Sequence, residues 1–126
     1  MKSRSLNYWI PVYCFAGAIT ALSSIPGSAD LSAFPQSDKL IHILEYIPLG
    51  MAASWACFRS RPKTPWSIII AVAVAGCLAF GIIDEFRQLG VLGREADPVD
   101  VGFDVIGAFL GAMVMYVSVL ARLRKS

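Results

Sequence analysis

Four long apolar segments alternate with short polar ones along the chain. They cover approximately residues 8–24, 40–58, 66–83 and 101–121. Crossing the hydrocarbon core of a bilayer takes about 20 helical residues, and each segment approaches or reaches that length. Because backbone groups in hydrocarbon must be satisfied within the segment, the segments are predicted as α-helices. The pattern therefore predicts an all-α membrane protein, in which residues 1–126 form a single domain with a bundle of four transmembrane helices.

The composition favours the same class of protein. Hydrophobic residues make up 56% of the sequence and charged residues 16%, proportions typical of an integral membrane protein rather than a soluble domain. The basic residues lie in short, separate clusters, so nucleic acid is not an expected partner. The three cysteines lie in apolar segments without CxxC spacing, so neither a disulfide framework nor a structural zinc site is expected.

Charge divides between the two ends of the predicted bundle. Eight of the eleven basic residues flank one end, here called the basic end, which carries Arg59, Arg61 and Lys63. All nine carboxylates lie toward the other, the acidic end. The positive-inside rule then places the basic end and both termini in the cytosol. The first segment also fits a signal peptide cleaved near 27–29, and both interpretations stay open.

The second apolar segment begins with ionisable residues. Asp38, His42 and Glu45 are spaced so that they share one helical face. Lys39 and Tyr46 lie beside that face. At 1.5 Å per residue, Glu45 lies about 8 Å inside the apolar layer, where a charge facing lipid is costly. We therefore expect Glu45 to face the bundle interior and to pair with His42 or a basic residue.

The third segment brings further polar residues to the acidic end. It ends in Asp84 and Glu85, which are followed by Arg87, Gln88 and, after two glycines, Arg94. Acids at a helix C-terminus oppose the helix dipole, so they need water or a specific partner. The glycines allow the loop that carries Arg94 to fold back over the site.

The fourth segment carries acids and glycines on a single stripe. Asp100, Asp104, Gly107 and Gly111 recur every three or four residues. The glycines form a small-xxx-small surface on which another helix can approach closely, so the acids of the same stripe should face that helix. A second copy of the chain is one expected partner for Gly107 and Gly111. Asp97, followed by proline, predicts the N-cap of this helix.

Together these residues predict a binding site at the acidic end. Carboxylates and one imidazole suit a hard cation or zinc, but they also suit a salt-bridged network without metal. Because the spacing matches no dedicated metal motif, no metal ligand is predicted and the cofactor is left open. The predicted binding residues are Asp38, Lys39, His42, Glu45, Tyr46, Asp84, Glu85, Gln88, Arg94, Asp100 and Asp104.

Three blocks of this sequence resemble the VanZ-like family of small bacterial membrane proteins. They read DKLIHILEYIPLG, DEFRQ and DVGFDVIGAFLG, and the resemblance covers roughly residues 24–111. The family usually has histidine where this chain has Arg87 and asparagine where it has Asp104. The resemblance implies four spans in the bacterial inner (cytoplasmic) membrane. It also implies a connection with the cell envelope, since the family's namesake confers resistance to the glycopeptide antibiotic teicoplanin.

Three functions fit these residues. The first is binding of an anionic or polar envelope component, such as a lipid-linked cell-wall precursor, with Arg94, Arg87 and Lys39 contacting phosphate or carboxylate. Such binding could affect glycopeptide susceptibility. The second is a membrane-embedded hydrolase or transferase that uses His42 as base or metal ligand, although no serine or cysteine nucleophile is expected near the cluster. The third is a proton relay or transport unit, which the lack of ionisable residues in the cytosolic halves of the segments disfavours.

Overall fold

The computed structural model describes residues 6–26 and 37–125. Four α-helices form this part of the chain, and no strand occurs in it. The helices are α1, Ile10–Ser23; α2, Ser37–Ser60; α3, Trp66–Gln88; and α4, Pro98–Leu123. The prediction of an all-α membrane protein is confirmed, while the proposed signal-peptide cleavage site at 27–29 lies outside the described residues.

Three helices, α2, α3 and α4, are long and apolar enough to cross a membrane. The first segment is instead a shorter apolar helix of 14 residues, about 21 Å long. A turn at Tyr8 and Trp9 precedes it, and Pro11 lies in its first turn, where proline is tolerated because the amide there has no intrahelical partner. The described part of the chain therefore contains three full-length candidate spans and one short helix rather than four full-length spans.

The helices extend beyond the apolar segments at the acidic end. The second helix begins at Ser37 rather than residue 40, and the third continues to Gln88 rather than ending at residue 83. The fourth begins at Pro98 because Asp97 caps it, with Oδ1 accepting a hydrogen bond from the Val99 N–H at 2.9 Å. The predicted cap is confirmed. As a result, most of the acids lie on regular helix rather than in loops.

The main contact in the bundle is between α2 and α4, and it depends on glycine. A β-carbon on Gly107 would lie 2.5 Å from the backbone oxygen of Ile43, and one on Gly111 would clash with the backbone oxygen of Ile47. The two backbones therefore touch directly, as small-xxx-small surfaces allow. Gly107 and Gly111 are buried by α2 of the same chain, so the expectation that they join two copies is corrected.

Consecutive helices run in opposite directions, which brings like ends together. At the acidic end, Ser23 contacts Asp84, so α1 finishes beside the end of α3. At the basic end, Arg59 donates a hydrogen bond to the Tyr8 hydroxyl at 3.3 Å, and the Trp66 ring lies 5.1 Å from that of Tyr116. Aromatic side chains gathered at one end are typical of a membrane–water interface.

The outer faces of the long helices carry exposed apolar side chains. Leu44 on α2, Val72 on α3 and Phe109 on α4 are each about half exposed or more. The core between the helices consists mainly of small residues, with Tyr46 and Ile69 as its largest apolar members. Large apolar side chains outside and small ones inside suit helices that pack closely in lipid.

Gly111→Ala is predicted to destabilise the bundle, because its new methyl group would press on the backbone of α2. Overpacking of this kind costs about 1–3 kcal/mol. Gly102 on the same helix is the control, since no atom lies within 4 Å of a β-carbon placed there. Gly102→Ala should be neutral or slightly stabilising, because alanine favours a helix over glycine by about 1 kcal/mol. Thermal unfolding in detergent measures both, and equal melting temperatures would contradict the packing.

Candidate functional site

His42 lies between two aspartates of α4. Its Nδ1 lies 2.8 Å from Asp104 Oδ1, and its Nε2 lies 3.5 Å from Asp100 Oδ2. The Asp104 side chain is only 2% exposed. Lys39 Nζ lies 3.3 Å from Asp100 Oδ1 and 3.5 Å from Asp97 Oδ2. The expectation that the glycine stripe turns Asp100 and Asp104 into the bundle is confirmed.

Asp84 joins α3 to α1. Its Oδ1 accepts hydrogen bonds from Arg87 Nη2 at 2.8 Å and from Ser23 Oγ at 3.1 Å. Its Oδ2 accepts one from Gln88 Nε2 at 3.2 Å. Arg87 also donates to the Thr20 carbonyl, at 3.1 Å, to the Ser23 hydroxyl and to the hydroxyl of Ser24, which directly follows α1. The buried carboxylate is therefore fully supplied with donors, as a charge removed from water requires.

Glu85 connects the end of α3 to the start of α4. Its Oε2 accepts a hydrogen bond from the Asp97 N–H at 2.9 Å, and its Oε1 accepts one from Gln88 Nε2 at 3.4 Å. In the loop between these helices, Gly93 has a φ of 78°, a left-handed conformation that glycine adopts without strain. Arg94 follows it, and its Nη2 donates to the Leu22 carbonyl at 3.4 Å. The predicted return of this loop toward the site is confirmed.

These groups surround a cavity of about 730 Å³ at the acidic end. This volume lies within the range of about 300–1,000 Å³ that small-molecule sites occupy. Its apolar lining is Ile19, Leu22, Ile25 and Ile41. Its remaining lining is Ser23, Ser37, Asp38, His42, Glu45, Tyr46, Asp84, Gln88, Gly93, Arg94, Glu95, Asp97 and Asp100.

Eight of the eleven predicted binding residues line this cavity. The other three do not line the cavity but contact residues that do. Lys39 contacts Asp100, Glu85 accepts a hydrogen bond from the Asp97 N–H, and Asp104 contacts His42. Arg87, which was expected to contact a bound phosphate, does not line the cavity, because Asp84 and α1 hold its guanidinium.

Glu45 and Tyr46 lie on the cavity wall, and neither side chain has a direct partner among the described residues. The expected pair between Glu45 and His42 does not form, because both ring nitrogens of His42 face aspartates of α4. Within residues 6–26 and 37–125, Glu45 makes no hydrogen bond or salt bridge. The Tyr46 side chain is 1% exposed, and its hydroxyl has no hydrogen-bond partner in the same part of the chain. Both groups are therefore available to a bound molecule.

The contribution of α1 to the site was not predicted from the sequence. Ser23 was not considered, yet its hydroxyl contacts both Asp84 and Arg87 and lines the cavity. A serine therefore lies near the cluster, although its hydroxyl is held by Asp84 and Arg87; the expectation of no serine or cysteine nucleophile there stays a prediction. The available signal was the set of hydroxyl residues that closes the first apolar segment, Thr20, Ser23 and Ser24, which lie on one helical face.

Three donors in this site could hold a metal ion together. His42, Glu85 and Asp100 each offer one ligand atom, and these atoms all lie within 4.8 Å of one another. They come from α2, α3 and α4 respectively. Donors contributed by three separate helices leave no spacing signature in the sequence, which is why no metal site was predicted.

The fold and the cavity define a small, multi-pass helical membrane protein with a polar chamber at one end. The sequence model of the VanZ/LLP1 family matches residues 4–121, nearly the whole chain. The chain belongs to the VanZ/LLP1 family, which confirms the resemblance that its three sequence blocks indicated. No curated protein and no solved structure matches it.

A double-mutant cycle on His42 and Asp104 should reveal strong coupling. Asp104→Leu leaves the buried ring without its carboxylate partner, which is predicted to cost about 1–3 kcal/mol of unfolding free energy. Adding His42→Leu should restore part of that loss, because both polar groups are then gone. Unfolding in mixed detergent micelles with a chelator present measures each variant.

The control for this cycle is Asp38→Asn, because the Asp38 side chain is half exposed and its contact with Lys39 is long, at 3.8 Å. Its effect should stay within about 0.5 kcal/mol. If the two leucine substitutions were additive within about 0.5 kcal/mol, the hydrogen bond would contribute nothing specific to the bundle.

Proposed function

We propose that the protein binds the polar headgroup of a lipid-linked cell-envelope component in the cavity at its acidic end. The main observation behind this proposal is the lining of the cavity, which is apolar on one part and rich in hydrogen-bonding groups on the rest. Ligand sites combine apolar walls with a few placed polar groups in this manner. Because the basic residues lie at the opposite end of the helices, the positive-inside rule supports a cavity that opens on the outer face of the cytoplasmic membrane.

The balance of charge in the lining favours a polar ligand over a strongly anionic one. Six carboxylates face the cavity, against one guanidinium and one imidazole. Two of the three cations expected to bind phosphate, Lys39 and Arg87, are already held by aspartates. Ionised carboxylates only accept hydrogen bonds, so they suit hydroxyl and amino groups such as those of a sugar or amino sugar.

Arg94 is the cation in the lining that suits a phosphate or other anionic group of such a ligand. Glu45 and the Tyr46 hydroxyl lie on the same wall, and neither has a direct partner in the part of the chain that the structure describes. Buried polar groups in proteins are almost always satisfied, so the hydroxyl marks a position where the ligand donates or accepts a hydrogen bond.

The apolar part of the lining suits the lipid portion of the ligand. Leu22, Ile25 and Ile41 line the cavity, and each keeps 40% or more of its surface exposed. An acyl or prenyl chain can therefore lie against the helices while its headgroup enters the cavity.

The other functions have less support in the geometry. A proton relay needs titratable groups along its length, whereas Leu49, Ala53 and Ala108 fill the core below Tyr46. A hydrolase needs a nucleophile, and the Ser23 hydroxyl is engaged by Asp84 and Arg87 rather than by His42. Headgroup binding requires only the groups that the cavity presents.

Arg94→Ala is predicted to reduce the lipid-linked species that copurifies with the protein by about tenfold, because one charge-assisted contact is worth roughly 1.5–3 kcal/mol. Arg94→Lys, which keeps the charge, should retain most of the lipid. The control is Lys63→Ala, an exposed cation at the basic end. Mass spectrometry of lipids extracted from equal amounts of folded protein is the measurement. An unchanged lipid profile in Arg94→Ala would contradict the proposal.

A further inference from the structure

The geometry points to a divalent-cation site formed by His42, Glu85 and Asp100, with Asp104 positioning the histidine. The site lies beside the cavity and does not depend on headgroup binding. Two ligands on opposite sides of a six-coordinate ion, at metal–ligand distances of about 2.0–2.4 Å, lie roughly 4–5 Å apart. The three donor atoms, all within 4.8 Å of one another, therefore span one coordination sphere.

The hydrogen bond from His42 to Asp104 prepares the ring for a metal. An ionised carboxylate can only accept, so His42 Nδ1 carries the proton that it donates to Asp104 Oδ1 at 2.8 Å. The lone pair of the neutral ring is then on Nε2. Metal-binding histidines characteristically donate their second ring nitrogen to a carboxylate, which fixes the tautomer and the ring orientation.

The other side of the ring faces a second acceptor. Nε2 of His42 lies 3.5 Å from Asp100 Oδ2, so in the neutral ring a lone pair is directed toward a carboxylate oxygen. The Nε2 lone pair and the carboxylate oxygen repel each other at this distance unless a positive charge lies between or beside them. That charge is either a second proton on the ring or a cation shared by Nε2 and the carboxylates, and Glu85 supplies the further oxygen that a cation needs.

The charge around these groups matches a divalent ion. Glu85, Asp100 and Asp104 carry three negative charges, and Lys39, 3.3 Å from Asp100 Oδ1, carries one positive charge. Because Lys39 also contacts Asp97, the three carboxylates keep an excess of at least two negative charges in a largely buried region, where uncompensated charge is costly. The two oxygens of Asp100 face different groups: Oδ1 faces Lys39, and Oδ2 faces His42.

Tyr46 supplies independent support. Its hydroxyl is buried without a hydrogen-bond partner in the described ranges, and the residue lies one helical turn from His42 on the cavity wall. A β-carbon placed on Gly81 would lie 3.3 Å from this hydroxyl and 2.8 Å from Asp104 Oδ2. The Tyr46 hydroxyl and the Asp104 carboxylate therefore both lie against Gly81 of α3. A buried hydroxyl in this position calls for a bound polar group, and a ligand or water held by the ion would satisfy it.

The donor set indicates which ions fit. One imidazole nitrogen with two carboxylates suits Zn²⁺ or Mn²⁺, whereas Ca²⁺ and Mg²⁺ favour sites made of oxygen alone. The gap that remains around the ion opens toward the cavity, because His42 and Asp100 both line it. An ion held there could also bind an anionic group of a molecule in the cavity.

Zinc binding to the purified full-length protein tests this site. The protein in detergent is stripped with a chelator, titrated with Zn²⁺ in a calorimeter, and assayed for metal after desalting. The expected result is about one Zn²⁺ per chain, with Glu85→Gln and Asp100→Asn each weakening binding by at least about tenfold. His42→Gln should abolish stoichiometric binding. Asp104→Asn should weaken binding by about 10–100-fold, as the loss of a group that orients a ligand does.

Two controls separate this site from general attraction to acids. Asp38→Asn and Glu95→Gln remove carboxylates from the same cavity without touching the donor set, so both should bind Zn²⁺ as the native protein does. Size-exclusion profiles and thermal unfolding without metal establish that each variant is folded. Because Glu85→Gln changes little in shape, it keeps the test decisive if His42→Gln does not fold.

Three results would overturn the inference. One is the lack of stoichiometric Zn²⁺ on the native protein after titration. Another is equal loss of binding in Asp38→Asn and Asp100→Asn, which would indicate only nonspecific attraction to acids. The third is a nitrogen NMR spectrum that shows both nitrogens of His42 protonated with Zn²⁺ present, since the second proton would then supply the positive charge between the aspartates.

Discussion

The direct backbone contact between α2 and α4 sets the position of the charged groups that these two helices bring to the site. Gly107 and Gly111 lie against the backbone of Ile43 and Ile47, so no side chain separates these helices. Residues one turn nearer the acidic end are brought within hydrogen-bonding distance, which is why His42 reaches Asp104 at 2.8 Å. Larger residues on the stripe would force the helices apart, and the histidine and the aspartates would no longer face one another.

A charged group removed from water needs a partner, and this requirement explains the arrangement of the acids. Asp84 has Arg87, Glu85 has a backbone amide, and Asp104 has His42. Arg87 and Asp104 each form an ion pair or charge-assisted hydrogen bond with a neighbouring side chain, Asp84 and His42 respectively. Within residues 6–26 and 37–125, Glu45 is a carboxylate of the cavity wall that makes no hydrogen bond or salt bridge, whereas Arg87 and Lys39 are held by aspartates.

The sequence predicted what a single helix determines, but not how helices are placed against one another. Apolar length and helical spacing were enough to predict the four helices, the Asp97 cap and the inward direction of Asp100 and Asp104. They could not show that Ser23 meets Asp84, because the rotation and depth of α1 against α3 depend on packing. The partners of Arg87 and Glu45 were predicted incorrectly for the same reason, and donors from three helices share no motif. The binding role of the predicted residues stays a prediction.

The most direct test of the account is the accessibility of Glu45 from the two sides of the membrane. Glu45→Cys would be introduced after replacement of Cys14, Cys57 and Cys77, and right-side-out vesicles treated with a membrane-impermeant maleimide. A thiol in a water-filled cavity reacts, whereas one facing lipid does not. The account predicts labelling of Glu45→Cys from outside, of Lys63→Cys only after permeabilisation, and none of the lipid-facing control Leu110→Cys. Labelling of Glu45→Cys only after permeabilisation, or from neither side, would contradict an outward-facing cavity lined by these acids.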